Sequence, residues 1–535
     1  MPNAKFKKWW LNILISLPVV TIGLVVGYIN LYSGIDLSLR LYASVSLICA
    51  YLAIMLLGFY FVSREIKIGS TIISVLSVLI LLYTSYLVYV NMRVYNSLNQ
   101  MIRTQSEVDY SLVSMANNNL TEVSDLEGMT IATLNLTDDS ALDVIYKFLE
   151  AEELRDSNQV IMYDSPISMV HDLYRGEVDA MIIGSNFVSL FSDNRGFENI
   201  EEETQVLDTF TIVTENNNLN SSSLTEEPFS ILLLGTNSME EGQIDSGQVN
   251  TLILTTINLQ NLSVTMTSVP RDSYIDVPCI NYAKDKLSHT HSAGTMCVVQ
   301  TVEHLMGVEI PYYAKLNFRG MVSLVDTLGG IEVDVPVTIT EQNSRRQFGE
   351  HMITVEEGLQ RLDGEQALAL SRHRKSFLNQ DLTRVTHQQL VLKGIVNELL
   401  TEVSTVNEML SILNVLGENM DTNLSIAEIT SLAQYILDIL PTFANSNPLE
   451  EIHIKNMVLS GVDDRVHTSY YAVPLYVIHL YEGAIADARE SILINLEQME
   501  PGFNYSFSFN GFNDNHETLW VQPFYNEPLI NQWIN

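Results

Sequence analysis

Basic side chains are scarce in this chain of 535 residues. Lysine and arginine together number 28, aspartate and glutamate number 64, and the formal net charge is −36. A surface that binds nucleic acid needs clustered basic side chains to neutralise phosphates. The composition therefore argues against nucleic acid as a partner.

Charged residues of both signs make up only 17% of the chain, whereas hydrophobic residues make up 47%. Disordered acidic chains combine a high net charge with too few apolar residues to form a core. The apolar content excludes that class, and the length suffices for about two to four domains. With three cysteines, a fold built on a disulfide framework is excluded as well.

Three long apolar runs without charged residues, at 9–32, 41–62 and 69–90, lie in the first hundred residues. Each can cross roughly 30 Å of bilayer hydrocarbon as a helix. A cleaved signal peptide would provide a single short run, so the three runs predict a permanent transmembrane anchor over residues 1–95. Buried core helices are the less favoured alternative, because no charge interrupts any run.

Basic residues beside the runs favour one orientation. Lys5, Lys7 and Lys8 precede the first run, and Arg64 and Lys67 separate the second from the third. The positive-inside rule then places the N-terminus in the cytoplasm. We expect a multi-pass membrane protein whose acidic body, after about residue 95, is extracellular.

Two cysteines lie in that body, Cys279 and Cys297, at a separation of 18 residues. In an oxidising space they predict a disulfide. Two unpaired buried thiols are the alternative, since the sequence does not show the geometry that a disulfide needs.

Residues 96–225 predict a stalk and an α/β accessory domain. The stretch 91–127 is polar and rich in asparagine, which favours a helical stalk. Strand-like runs then alternate with helical patterns, at 129–135, 159–163, 180–183 and 210–214. Such alternation is typical of a parallel sheet. This part resembles half of a bacterial solute-binding domain, and a binding or spacing role is expected.

A polar linker at 216–227 leads to a second α/β domain over 226–400. Its apolar strand-like runs each end in a polar loop, at 229–234, 251–257 and 263–268. Polar residues just beyond strand ends are where α/β folds assemble ligand sites.

The part at 401–500 is predicted to complete this second domain with helices and a strand. Helical spacing of apolar residues or strand-like composition is seen at 390–400, 426–440, 452–459 and 476–499, of which only 452–459 favours a strand. The tail at 501–535 is rich in aromatic residues, which pack on the body or stack on glycan rings.

Seven short motifs follow one another between residues 229 and 389. In chain order they are I-L-L-L-G at 231–235, S-V-P-R-D at 268–272, K-L-S-H at 286–289, D-T-L-G-G-I-E-V at 326–333, L-D-G-E-Q-A-L at 362–368, S-R-H-R at 371–374, and Asp381, Arg384 and Gln388–Gln389 together. Their order and spacing resemble the catalytic domain of the LytR–CpsA–Psr family of bacterial cell-envelope proteins. Three membrane spans followed by an intervening domain resemble its CpsA-like capsule subgroup.

The resemblance implies an α/β/α domain with a central mixed sheet. It also implies transfer of a glycopolymer from a polyprenyl-pyrophosphate carrier to peptidoglycan, with release of polyprenyl phosphate. The implied partners are the polyprenyl-pyrophosphate glycan, the peptidoglycan acceptor, the membrane and capsule-synthesis proteins. The implied cofactor is Mg²⁺ or Mn²⁺.

The resemblance further assigns roles to residues of this sequence. The implied catalytic residues are Arg271, Arg372, Arg374 and Asp381, and the implied substrate-binding residues are the same three arginines with Arg384, Gln388 and Gln248. Guanidinium groups suit phosphate oxygens, although a solvated charge is the alternative for any single arginine. Arg372 and Arg374 would point the same way on a strand. His289 and Asp272 are expected in supporting or structural roles.

The chain departs from the family pattern at the metal. Asn237 and Asn250 stand where the family has two aspartates that hold magnesium, and Gln248 stands where it has a phosphate-binding arginine. An asparagine carbonyl can coordinate a metal, but Mg²⁺ prefers charged oxygen ligands. The predicted metal ligands Asn237 and Asn250 therefore form a weakened site, and replacement by the acidic loop 240–245 is less favoured.

Two hypotheses follow from this departure. The first is an extracellular glycopolymer phosphotransferase with a weakened metal site. The second is a catalytically inactive glycolipid-binding or regulatory protein. It keeps the arginines and binds the carrier-linked glycan without transferring it.

Overall fold

The computed structural model describes 2–31, 37–102, 105–118, 120–192, 196–215, 224–239, 244, 247–374, 380–403, 405–443, 451–466 and 474–499. The aromatic-rich tail at 501–535 and most of the predicted linker at 216–227 lie outside these residues. The domain boundaries given above stay predictions.

The chain divides into two compact units, of which the first comprises Met1–Ile102, Thr405–Gly417 and Ser425–Thr442. Its N-terminal helices are α1 (Pro2–Ser16), α2 (Pro18–Leu31), α3 (Leu37–Ser63) and α4 (Lys67–Met101). The three predicted spans are helices long and apolar enough to cross a membrane, Lys7–Leu31, Leu37–Ser63 and Lys67–Met101. Ile15, Val62 and Ile73 form a small buried cluster between them.

The second unit begins with a five-stranded sheet, here called the accessory sheet. Its elements are β1 (Gln105–Met115), β2 (Thr130–Leu134), α5 (Asp139–Ala151), β3 (Gln159–Tyr163), α6 (Pro166–Arg175), β4 (Ala180–Gly184), α7 (Phe187–Phe191), α8 (Ile200–Glu203) and β5 (Thr204–Glu215). The strand order is β3-β2-β4-β1-β5. Strands β2, β3 and β4 are parallel, as the sequence predicts, whereas β1 is antiparallel to β4 and β5.

The predicted helical stalk at 91–127 is helical only as far as Met101 and is wrong beyond it. Helix α4 ends at Met101, and strand β1 begins at Gln105. This strand is paired along both edges, and Leu112 and Val113 are fully buried. Polar composition favours a solvated stalk, but pairing with two neighbours decides strand formation here.

The remaining elements of the chain follow in order. They are β6 (Phe229–Thr236), β7 (Val249–Asn258), β8 (Ser263–Ser268), β9 (Tyr274–Val277), β10 (Ala283–Lys286), α9 (Thr295–Met306), β11 (Tyr312–Asn317), α10 (Phe318–Thr327), β12 (Ile331–Val335), β13 (Ile339–Glu341), β14 (Ile353–Val355), β15 (Gly358–Leu362), α11 (Gly364–Arg372), α12 (Gln380–Thr401), α13 (Val406–Asn419), β16 (Met420–Thr422), α14 (Ile426–Ile439), β17 (His453–Val458), β18 (Gly461–Val466), β19 (Leu475–Leu480) and α15 (Glu482–Asn495).

A six-stranded mixed sheet, here called the central sheet, has the order β16-β11-β6-β7-β8-β17. Strand β6 is parallel to β11 and β8 is parallel to β17, whereas β7 is antiparallel to both its neighbours. Side chains of α9 and α15, such as Val302 and Ile492, pack into its core. The predicted mixed α/β class is confirmed, and strands β6, β8 and β11 all end at one edge of the sheet.

The predicted closing helix at 476–499 is wrong in its first part. Leu475–Leu480 forms strand β19, antiparallel to β18, and the helix covers only Glu482–Asn495. Val477 is fully buried. An apolar run of six residues is ambiguous between strand and helix, and the partner strand decides it.

Candidate functional site

A cavity of about 190 Å³ opens at the edge of the central sheet where β6, β8 and β11 end and β7 begins. Five arginines line it, together with four other residues. The lining residues are Arg271, Arg346, Arg372, Arg374, Arg384, Asn250, Phe318, Ser371 and Gln388. None of the described residues that line the cavity is acidic, although the chain carries a net charge of −36.

Three elements position most of the arginines of the cavity: the turn after β8, the end of α11, and α12. Arg271 lies in the turn after β8, and Arg372 is the last residue of α11. Helix α11 begins with a reciprocal cap in which Asp363 and Gln366 each accept a backbone N–H from the other. Arg384 lies four residues before Gln388 on α12, so both project from one face of the helix.

Arg372 and Arg374 are not on a strand, contrary to the prediction. Helix α11 ends at Arg372, and Arg374 follows after one residue. Both side chains still reach the cavity. Asp381 belongs to α12, but its side chain lies outside the described residues.

Arg271 holds the centre of a polar cluster. Its Nη1 donates to Gln248 Oε1 at 3.0 Å and also to Asn250 Oδ1. Its Nε lies 3.6 Å from Asp272 Oδ2, and Lys286 Nζ donates to Asp272 Oδ1 at 3.1 Å. Burial alone would raise the pKa of Asp272, but Arg271 and Lys286 outweigh it and lower that pKa below its ordinary value. The carboxylate is therefore charged and orients Arg271.

The predicted metal ligands face hydrogen-bond donors. Asn237 Oδ1 accepts the backbone N–H of Gln248 at 2.7 Å, and Asn250 Oδ1 accepts from Arg271. The oxygen of Asn250 is thus taken by a guanidinium and that of Asn237 by a backbone N–H. The described residues contain no group of three or more acidic, histidine or cysteine side chains able to hold a metal ion. In this arrangement the amide set does not fit Mg²⁺ or Mn²⁺. The acidic alternatives at 240, 241 and 245 lie outside the described residues.

The opposite wall of the cavity is formed around Arg372. Its Nη1 donates to the carbonyl of Asn343 at 3.2 Å, and its guanidinium lies 5.7 Å from the ring centroid of Phe318. Burial and then the neighbouring Arg346 lower the pKa of Arg372, which remains a cation. Two guanidinium groups held close together favour an anion between them. The sequence motifs do not include Arg346, which lies in the loop between β13 and β14.

Other predicted residues have structural positions. His289 is buried and its Nδ1 lies 2.8 Å from Asp285 Oδ1, outside the cavity lining. Cys279 and Cys297 are joined in a disulfide, with their Cα atoms 5.5 Å apart.

A buried histidine on α12 predicts a pH dependence of stability. Burial and then the neighbouring His373 lower the pKa of His387 to about 4. Below its ordinary pKa of about 6.5, the unfolded chain binds a proton that the folded chain does not, so stability is lost as pH falls from about 6.5 towards 4. The loss is expected to reach about 2–3 kcal/mol near pH 4.5.

The measurement is the thermal midpoint of the full chain in detergent between pH 7 and pH 4.5. His387→Gln removes the titrating group and is expected to flatten this dependence relative to the natural chain. Equal slopes for the two proteins would contradict the assignment.

A comparison with known families decides where the chain belongs. The model described as the LytR_cpsA_psr family matches residues 195–474, which include every residue of the cavity. The chain belongs to the LytR–CpsA–Psr family. Membership agrees with the motifs and with the arginine-lined site.

Two relatives are similar to this chain over part of their length. A protein of Enterococcus faecalis named polyisoprenyl-teichoic acid–peptidoglycan teichoic acid transferase TagU is 34% identical over 209 residues, which are 39% of this chain and 65% of that protein. The Bacillus subtilis protein of the same name is 29% identical over 274 residues, 51% of this chain and 79% of that one. The chain therefore spans about two thirds of the E. faecalis relative.

A solved structure, the crystal structure of B. subtilis TagV, is also similar. It is 25% identical, and the match covers 51% of this chain and 99% of that chain with a TM-score of 0.41.

Proposed function

We propose that this chain is a membrane-anchored protein of bacterial envelope assembly that binds a polyprenyl-pyrophosphate-linked glycopolymer and transfers it to peptidoglycan. The names of the two TagU relatives, which contain polyisoprenyl-teichoic acid and peptidoglycan, support these two partners. The distribution of basic residues supports an extracellular body. The CpsA-like resemblance supports a capsule polysaccharide and capsule-synthesis proteins as partners.

The observation that carries the proposal is the convergence of five arginines on one cavity without an acidic lining residue among those described. A pyrophosphate carries several negative charges, and planar guanidinium groups bind its oxygens with two donors each. The net charge of the chain is −36, but the positive charge of this cavity attracts an anionic ligand locally.

The proposed transfer is a displacement at phosphorus. A peptidoglycan hydroxyl oxygen forms a bond to the phosphorus that carries the glycan, and the hydroxyl proton is released. The bond from that phosphorus to the bridging oxygen breaks, and polyprenyl phosphate leaves with the electron pair. Arg271, Arg372 and Arg374 would hold the equatorial and leaving oxygens, where negative charge develops.

A second candidate function is favoured by a specific observation. The side-chain oxygens of Gln248 and Asn250 accept from Arg271 instead of standing free for a cation. A pocket that lacks the metal loses charge neutralisation at the transferring phosphoryl group. Such a chain would bind the carrier-linked glycan without turnover, as a regulatory or glycolipid-binding protein.

One experiment tests both candidates on the natural full chain in detergent. Undecaprenyl pyrophosphate is added with Mg²⁺, with Mn²⁺ or with a chelator, and binding and phosphate release are measured together. We expect binding in all three conditions, because arginines bind the ligand. Release that depends on metal supports the transferase, binding without release supports the second candidate, and the absence of binding overturns both.

A further inference from the structure

The end of the accessory sheet where a ligand would bind is covered by the chain itself. Strands β2, β3 and β4 are parallel, so the loops after them meet at one edge. In open α/β sheets, ligands bind in the crevice beyond this edge. Here the edge is covered by the stretch 277–294, which begins at the last residue of β9 and contains β10 and a 3₁₀ segment at Leu287–Ala293.

Loop residues after β2 and β4 hold this stretch by hydrogen bonds. Thr137 donates from its backbone N–H to the carbonyl of Cys279 and from its hydroxyl to the carbonyl of Pro278, both at 3.1 Å. Asn186 Nδ2 donates to the carbonyl of His291 at 3.2 Å and lies 2.9 Å from His291 Nδ1. The accessory loops therefore bind a peptide of the same chain at the ligand end of their sheet.

The approach is close enough to require glycine on both sides. A Cβ added to Gly184, at the end of β4, would lie 2.4 Å from the carbonyl oxygen of Ser292. A Cβ added to Gly294, whose φ is +95°, would lie 2.6 Å from Val108 Cγ2 on β1. Strand β4 and the backbone of Ser292 therefore lie too close for a side chain at residue 184, and the positive φ of Gly294 favours glycine there.

The stretch also shares the core of the accessory sheet. Val277, Cys279, Ile280 and Cys297 belong to the same buried cluster as the side chains of β2 and β4. The disulfide thus lies inside this shared core and ties the stretch to the start of α9.

The 3₁₀ segment at Leu287–Ala293 is bonded to Arg271 at its N-terminal end. The backbone N–H of Ser288 donates to the carbonyl of Arg271 at 2.9 Å, and that of Leu287 donates to the carbonyl of Ser273 at 2.9 Å. Leu287, Ser288 and His289 are all at most 2% exposed. One short buried segment therefore contacts the accessory sheet at one end and the central arginine of the cavity at the other.

We infer that the accessory sheet acts as a positioning element for Arg271, with Asn186 as its positioning residue, and that the chain's own stretch 277–294 takes the place of a solute. The segment Leu287–Ala293 is fixed between the two sites, and Lys286, which precedes it, holds Asp272 against Arg271. The inference rests on the proposed function only in taking pyrophosphate as the ligand of Arg271.

The test compares two asparagine variants of the full chain in detergent. Asn186→Ala removes the amide that holds His291. Asn158→Ala is the matched control, because Asn158 Nδ2 donates to the carbonyls of Leu126 and Met129 at the opposite edge of the same sheet. Hydrogen exchange of the peptide 286–293 and the Kd for undecaprenyl pyrophosphate are measured for both variants and the natural chain.

Asn186→Ala is expected to speed exchange over 286–293 and to raise the Kd about five- to tenfold, whereas Asn158→Ala leaves both unchanged. Gly184→Ala, which pushes on Ser292, is expected to act like Asn186→Ala. Equal effects of Asn186→Ala and Asn158→Ala, or faster exchange without a change in Kd, would overturn the inference. If the natural chain binds no pyrophosphate, the proposed function fails, and unchanged exchange in Asn186→Ala would then overturn the docking as well.

Discussion

Replacing Arg271 by alanine is expected to weaken the binding of undecaprenyl pyrophosphate by about 100-fold, equivalent to about 3 kcal/mol. Hydrogen bonds between ionised groups are about twice as strong as neutral ones, and a guanidinium offers two to a phosphate. The loss is measured by titration of the full chain in detergent with the pyrophosphate.

Two further variants separate binding from folding. Arg271→Lys keeps the charge but loses the planar fork, so an affinity between those of the natural chain and the alanine variant is expected. Arg361→Ala is the matched control, because Arg361 pairs with Glu398 and bonds the carbonyls of Gly329 and Gly330 outside the cavity. A Kd for Arg271→Ala within about threefold of that control would contradict the proposed site.

Most of the cavity arginines could be predicted from the sequence, because they lie within motifs of fixed spacing. Arg346 could not, since it belongs to a loop and reaches the cavity only through the fold. The partners of Arg271 could not be predicted either. The sequence identifies amides at Gln248 and Asn250, but only the structure shows that their oxygens accept from a guanidinium.

In the accessory sheet, too, the sequence predicts some strands and misses others. Strands β2 to β4 follow from alternating apolar runs and caps. Strand β1 does not, because its polar sequence becomes a strand only through pairing with β4 and β5. The resemblance to a solute-binding domain predicts a ligand site at one edge of this sheet. Only the structure shows that the stretch 277–294 covers that edge.

Restoring the family residues at the amide cluster is the change expected to increase activity most. The triple variant Asn237→Asp/Gln248→Arg/Asn250→Asp places two carboxylates and a second guanidinium around Arg271. Charged oxygens suit Mg²⁺, and the ion would compete with Arg271 for them. Release of phosphate from undecaprenyl pyrophosphate is then expected to rise by about 100-fold or more and to depend on metal, because the ion neutralises charge on the transferring group.

Phosphate release by the triple variant is compared with that by Gln248→Arg alone, which adds the arginine without the carboxylates. If the carboxylates are the missing element, the single variant stays at the level of the natural chain and a chelator abolishes the gain of the triple variant. An equal rate for the natural chain and the triple variant, both dependent on metal, would mean that other oxygens of this chain already complete the site. Because the side-chain oxygens of Gln248 and Asn250 accept from Arg271 in the natural chain, we expect the first result. It would show that two aspartates set the rate at which this pocket transfers a phosphoryl group.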